Sequence, residues 1–527
     1  MAQPDIQAKL NLVHDALARK DWRTATALCI EILKHAPRQA DAHLVLGLAS
    51  AEAGKIDMAL RAFDTVLKID PKRFDARIQK ARCLVQAGHH AAAEAEAEQC
   101  IESAQLNSKQ LDLLATIYSH IGKQETAEPL IHHAAKLAPN DAAILSNAAA
   151  IQLFVGQKQR AVANLERILE RYPDHCRSHW QLAKARSAED IQHCLAMESL
   201  LTNSDLSPQS RVYLHYALGK EYEDLQHWPQ AWEHYAQGAA LQRQHTHYQG
   251  RDDQALFNTL AQHFDLHWFD STAESSRSDN AAPVFIFGLP RSGSTLVDRI
   301  LSSHSQVQSL GELAQWPLTV KRLAEIREPG LFRVDIATRA SKLDLRSAAE
   351  NYLRDIVFLR GHSAMFTDKL PANFLYAPLL AKAFPNAKLV HVRRNPMDSC
   401  FAMYKQLFAD AYPFSYTLEE LADYYIGYHR LMAHWRNLLG DRLIEVDYDT
   451  LVQAQETQTR TLIDRLGLPF EPSCLEFHHT PGASATASAA QVRQPMHRQS
   501  LGRWRQFSEQ LEPLRERLQL AGIPLDD

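Results

Sequence analysis

The segment PVFIFGLPRSGSTLVDRILSSH holds the residues best suited to chemistry. Val284 to Phe287 are a short apolar run of the kind that forms a buried parallel strand. Gly288 to Gly293 then make a GxxxxG loop, and the predicted helix beyond it turns Leu296, Ile300 and Leu301 inward. Strand, glycine loop and helix together cradle an anion, because the unpaired amides of a helix N-terminus point at negative charge. Ser294 stands where a nucleoside triphosphatase carries lysine, so the cation that meets β- and γ-phosphates is missing and ATP hydrolysis is disfavoured. A second segment, KLVHVRRNPMDSCFAMYKQ, repeats the layout: an apolar strand Leu389 to Val392, Arg393 and Arg394, a turn at Asn395-Pro396, and a helix. Histidines near His132, His175 and His478 lack the spacing of a closed metal site, and no metal is expected.

These segments lie in the second half of the chain, behind an array with a fixed period. Ala25, Ala59, Ala93, Ala127 and Ala161 recur every 34 residues, and Pro37, Pro71, Pro139 and Pro173 keep the same clock. Small residues at Gly47, Ala81, Ala115 and Ala149 let two antiparallel helices approach closely, while the proline ends the second helix of each pair. The period and residue types resemble the tetratricopeptide repeat. Another unit at Gly219, Tyr222, Ala231 and Tyr235 is two residues off the clock, with a divergent unit before it. Such repeats stack into a solenoid with a concave face, able to hold a peptide or partner, or to dimerise or buttress the rest. From His245 to Ala282 the pattern is lost. DQALFNTLAQHF reads as a short helix and STAESSRSDNAA as a polar linker.

At 527 residues, more than one hydrophobic core is expected. The net charge of -5 argues against general nucleic-acid binding while permitting a local basic pocket. The first residues lack a basic stretch followed by an apolar core, and no apolar run reaches the ~20 residues of a membrane span. Seven scattered cysteines without a CxxC pair read as reduced thiols, so a cytoplasmic protein is expected.

PRSGSTL resembles the 5′-phosphosulfate-binding loop of the sulfotransferases, and KLVHVRRNPMDS resembles their 3′-phosphate segment. The resemblance is to the tetratricopeptide-containing sulfotransferases of bacteria and, more distantly, to tyrosylprotein sulfotransferases. It implies 3′-phosphoadenosine 5′-phosphosulfate (PAPS) as co-substrate, leaving as adenosine 3′,5′-bisphosphate (PAP). Arg291, Ser292, Gly293, Ser294 and Thr295 would wrap the 5′-phosphate, and Arg394 would contact the 3′-phosphate, with Arg393 a supporting charge. Where the family places a serine eight residues after that arginine, this chain has Ala402, which Tyr404 or Lys405 would have to compensate.

The resemblance further implies Glu312, in Gly311-Glu312, as general base, and Lys369 as donor to the sulfuryl or bridging oxygen. Asp368 would orient Lys369 or cap its turn. Tyr448 matches a tyrosine that touches the adenosine. The loop from Ser488 through Gln491 and Pro495 to Trp504 matches a donor-covering loop. Ser488 would bond the leaving oxygen, Arg503 would be a phosphate-binding cation and Arg493 an additional one, with Trp504 structural. The expected architecture is an all-α tetratricopeptide-repeat solenoid (1–244), a connecting helix and linker (245–282) and a P-loop-like three-layer α/β sulfotransferase domain (283–527), its sheet mostly parallel and the donor across the strand C-termini. The acceptor hydroxyl, that of a peptide or protein tyrosine, a carbohydrate or a lipid, stays open, and a homodimer is compatible. Two rival readings are a phosphotransferase on the same cradle and a repeat scaffold whose nucleotide-binding domain is inactive.

Overall fold

The computed structural model describes residues 6–101, 105–271, 282–328, 330–361, 363, 365–484, 486 and 491–525. The chain divides into two compact units, 1–151 and 152–527. In the first, helix pairs follow the sequence clock: Trp22–His35, Ile56–Ile69, His90–Ile101 and Gln124–Leu137 alternate with Ala40–Glu52, Phe74–Gln86 and Ser108–His120. Ala25, Ala59, Ala93 and Ala127 are all fully buried, as close helix packing requires. A Cβ at Gly47 would lie 2.5 Å from the Phe63 ring, so only glycine admits that ring.

The second unit begins with further helices of the array. Helix Lys158–Arg171 buries Ala161, and the divergent unit appears as two short helices, Cys176–Ala185 and Gln192–Leu201. Helices Pro208–Asp224 and Trp228–Gln244 form the off-clock hairpin. Here Gly219 faces Tyr235, whose ring would stand 2.6 Å from an added Cβ. The helix read from DQALFNTLAQHF spans Gly250–His263 and is more than a connector. Its Leu256, Phe257 and Leu260 are buried, and Phe257 packs at 5.3 Å from the ring of Tyr424. The polar linker falls largely outside the described residues.

Five parallel strands form one sheet in the order β2-β3-β1-β4-β5: β1 Ala282–Gly288, β2 Val307–Ser309, β3 Met365–Lys369, β4 Lys388–Arg393 and β5 Leu443–Asp447. Central β1 is apolar on both faces. Phe285 and Phe287 join the core that holds Trp316, Tyr352 and Phe384, while Val284 and Ile286 join Val390, Val446 and Ile463 on the other side. Helices cover both faces, giving the three-layer α/β arrangement. Register brings Ile286 beside Lys369 and Gly288 beside Val392. The glycine loop therefore leaves the sheet between the ends of β3 and β4, where both other chemical segments also emerge.

Candidate functional site

The loop after β1 turns sharply. Gly288 has φ 155° and its missing Cβ would meet the Val392 carbonyl oxygen at 2.3 Å. Gly293 caps the helix Ser294–Leu301 at φ 102°, and a Cβ there would sit 2.3 Å from the Tyr448 ring. Arg291 holds a left-handed φ of 66°, rare for a residue with a side chain. Ser292, 1% exposed, has an Oγ with no hydrogen-bond partner among the described residues. Ser294 and Thr295 are buried behind it. Leu296, expected inward, is half-buried and lines the cleft described next.

One cleft collects Arg291, Gly293, Thr295, Arg394, Tyr448 and Gln491. Arg394 crosses it: Nη1 donates to the Arg291 carbonyl at 3.3 Å, Nη2 donates to the Ser500 carbonyl, and the guanidinium lies 4.9 Å from the Tyr448 ring centroid. Nε of Arg394 is buried and unpartnered among the described residues. Arg291 Nη2 donates to Gln491 Oε1 at 3.0 Å, so the covering segment reaches back to the glycine loop. Burial, with Arg394 nearby, pushes the Arg291 guanidinium down to about 10. Ala402, Lys405 and Arg503 complete the wall. Among the described lining residues four cations meet one carboxylate, Asp398, so a chain of net charge -5 still presents a basic pocket.

Glu312 and Lys369, which do not line this cleft, form a separate pair. Lys369 Nζ, on a side chain 1% exposed, donates to Oε1 of Glu312, which is 37% exposed. The backbone prepares the pair: Gly311 takes φ 75°, and its carbonyl accepts from the Lys369 amide at 2.9 Å. Thr367, two residues before Lys369, bonds Asp298, which also accepts from Ser309 at 2.9 Å. Asp368 points the other way. Its carboxylate accepts from Tyr352 Oη at 2.8 Å, and burial lifts it to about 7.

Other sequence expectations are distributed differently. Arg493 is not among the cleft-lining residues, and its guanidinium donates to the carbonyls of Phe154 at 2.8 Å and Gly482 at 3.0 Å. Gly156 permits this, since a Cβ there would stand 2.7 Å from that guanidinium. Arg393 pairs with Asp447 at 3.2 Å, outside the cleft. Tyr404 stacks on Trp232 at 5.4 Å, which leaves Lys405 as the residue near Ala402 that faces the cleft. Ser488 lies outside the described residues.

Three residues were not singled out from sequence. Asp398 accepts from the Gly502 amide at 2.6 Å and the Trp504 amide at 3.2 Å, clamping the covering segment to the helix Pro396–Tyr404. Its position four residues after Arg394 was the available signal. Ser500 shares a 2.8 Å hydrogen bond with Tyr448. Glu223, from the off-clock hairpin, touches two of the cleft's cations.

Residues 283–472 match the sulfotransferase family, and residues 50–117 and 144–175 match tetratricopeptide repeats. An uncharacterized protein of Aquifex aeolicus (strain VF5) is 30% identical over 347 residues, covering 64% of this chain and 45% of that protein. Protein-tyrosine sulfotransferase 1 of Danio rerio is 26% identical over 234 residues, 42% of this chain and 65% of that protein. Its Homo sapiens counterpart is 26% identical over 235 residues, 42% and 62%. This chain thus spans less than two thirds of the length of each of these relatives. Among the described residues no helix is long and apolar enough to cross a membrane. The chain carries a sulfotransferase-family domain behind tetratricopeptide repeats and is related to the protein-tyrosine sulfotransferases.

Proposed function

We propose that the chain moves the sulfuryl group of PAPS to an acceptor hydroxyl, that of a peptide or protein tyrosine held by the repeats. One observation carries this reading: the glycine loop and Arg394 line the same cleft, with Arg394 Nη1 3.3 Å from the Arg291 carbonyl. Cations suited to the two phosphate ends of one adenosine nucleotide therefore lie side by side. A cradle without the lysine of the triphosphatases suits a sulfuryl group, which brings a single negative charge.

The loop amides with Ser292, Ser294, Thr295 and Arg291 hold the 5′-phosphate, while Arg394 and Arg503 hold the 3′-phosphate. Tyr448 and Gln491 border the nucleoside. Glu312 takes the proton of the acceptor hydroxyl. The acceptor oxygen then bonds to sulfur as the bond from sulfur to the 5′-phosphate oxygen breaks, and PAP departs. Lys369 and Arg291 meet the charge that grows on the leaving oxygen. The names of the tyrosine sulfotransferase relatives favour tyrosine as acceptor.

The test is transfer of radiolabelled sulfate from PAPS by the full chain to a panel of tyrosyl peptides, sugars and lipid alcohols. Label on the peptides, lost in Glu312→Gln, is the expected result. Tight binding of PAP without turnover on any hydroxyl would favour a nucleotide-binding scaffold. Magnesium-dependent ATP binding tighter than that of PAP would favour phosphoryl transfer.

A further inference from the structure

The off-clock repeat hairpin reaches the nucleotide cleft through one carboxylate. Gly219 leaves room for the Tyr235 ring, and Tyr235 Oη donates to Glu223 Oε2 at 2.8 Å. Oε1 of the same carboxylate accepts from Lys405 Nζ at 2.7 Å and from Arg503 Nε at 3.0 Å. Arg503 Nη2 adds a longer bond, 3.5 Å, to the Glu223 carbonyl, and its guanidinium lies 4.6 Å from the Trp228 ring centroid. Glu223 is 6% exposed, and the sequence offers no reason from the repeat pattern for a buried acid there. Burial alone would raise its pKa, yet the two cations hold it below the usual carboxylate range. Lys405 and Arg503 both line the cleft beside Arg394, next to the position where Ala402 offers no hydroxyl.

We propose that Glu223 is a positioning residue for donor selection, fixing Lys405 and Arg503 at the cleft wall so that with Arg394 they read the 3′-phosphate of the nucleotide. The proposal rests on the donor reading given above. Its physical basis is charge. Arg291, Arg394, Lys405 and Arg503 repel one another in a partly buried space, and the lysine, on a flexible stem, is the one free to leave. A carboxylate behind Lys405 and Arg503 offsets that repulsion and points both side chains from one anchor. The repeat hairpin thereby sets a specificity that the catalytic domain's own helix, lacking a hydroxyl at Ala402, supplies only in part.

The experiment is isothermal titration of the full chain with PAP and with adenosine 5′-monophosphate, which lacks the 3′-phosphate. The wild-type chain prefers PAP. Glu223→Gln weakens PAP about tenfold while adenosine 5′-monophosphate stays within about twofold, since one charge-assisted anchor is lost and the 5′ cradle is untouched. Tyr235→Phe, which keeps the carboxylate and the ring packing, narrows the preference by about threefold. A parallel loss for both nucleotides would mean that Glu223 only supports the fold. A wild-type preference that survives in both variants would overturn the assignment alone. Equal binding of the two nucleotides by the wild-type chain would overturn the donor reading and this assignment with it.

Discussion

The Glu312–Lys369 pair is asymmetric, and that asymmetry gives an unequal outcome when either partner is removed. The lysine side chain is 1% exposed and the glutamate 37% exposed. Glu312→Ala leaves an ammonium sealed in the protein without its counter-charge, a change that typically costs about 3–5 kcal/mol. Asp298 and Asp368 also lie in electrostatic reach of Lys369, but Asp298 is engaged with Thr367 and Ser309 and Asp368 with Tyr352. The lower end, about 3 kcal/mol, is therefore expected. Lys369→Met leaves a carboxylate that can turn to water, and the long apolar replacement fills the same volume, so the loss is about 1 kcal/mol or less. On the proposed function, both variants are expected to lose sulfate transfer. The assay is denaturant unfolding of each variant, following the transition whose midpoint rises with added PAP. Glu312→Ala should lower that midpoint clearly more than Lys369→Met, with Glu312→Gln between them because its amide oxygen still accepts from Nζ. Equal losses, or a larger loss for Lys369→Met, would refute the argument from exposure.

Three further outcomes are expected. Ala402→Ser places a hydroxyl at the cleft wall and tightens PAP about three- to tenfold in titration, against a helix-propensity cost of about 0.5 kcal/mol seen as a slightly lower thermal midpoint; unchanged PAP affinity would show that Lys405 already occupies that role. Gly293→Ala forces a side chain into the Tyr448 ring at a φ of 102°, so nucleotide binding measured by titration should fall at least tenfold. Asp368, lifted to about 7 from an ordinary 3.8, holds a proton in the folded state that the unfolded chain releases. Its stabilising contribution is complete below about 3.8 and lost as pH rises through about 7, and Asp368→Asn should flatten that part of the profile of thermal midpoint against pH.

The repeat array was legible because its logic is local. Alanines 34 residues apart must each meet a neighbouring helix, and Ala25, Ala59, Ala93, Ala127 and Ala161 are all fully buried. The sheet was legible for a similar reason: apolar runs at Val284–Phe287 and Leu389–Val392 have the composition of strands covered on both faces. Strand alternation also explains Asp368. Neighbouring residues in β3 face opposite sides, so Lys369 and Thr367 share the side of Asp298 while Asp368 turns to Tyr352. That much could have been read from a period of two. The role of Glu223 could not, because 182 residues separate it from Lys405 and 280 from Arg503, and no local pattern joins them. The same holds for Arg493, whose orientation is set by the Phe154 carbonyl and by the absence of a side chain at Gly156.

The helix Gly250–His263 has a practical and evolutionary consequence. Its Phe257 fills the space left by Gly427, and its Gln254 donates to the Asp423 carbonyl at 2.9 Å. Just upstream, Arg243 makes two bonds to Glu420, and Trp232 covers Tyr404. A chain cut where the family match begins, at residue 283, would strip these coverings and bare an apolar flank of the helix Leu418–Leu439. Any ancestral exchange of one repeat array for another would have had to splice upstream of Pro208, carrying the last hairpin along as fixed cargo of the α/β domain.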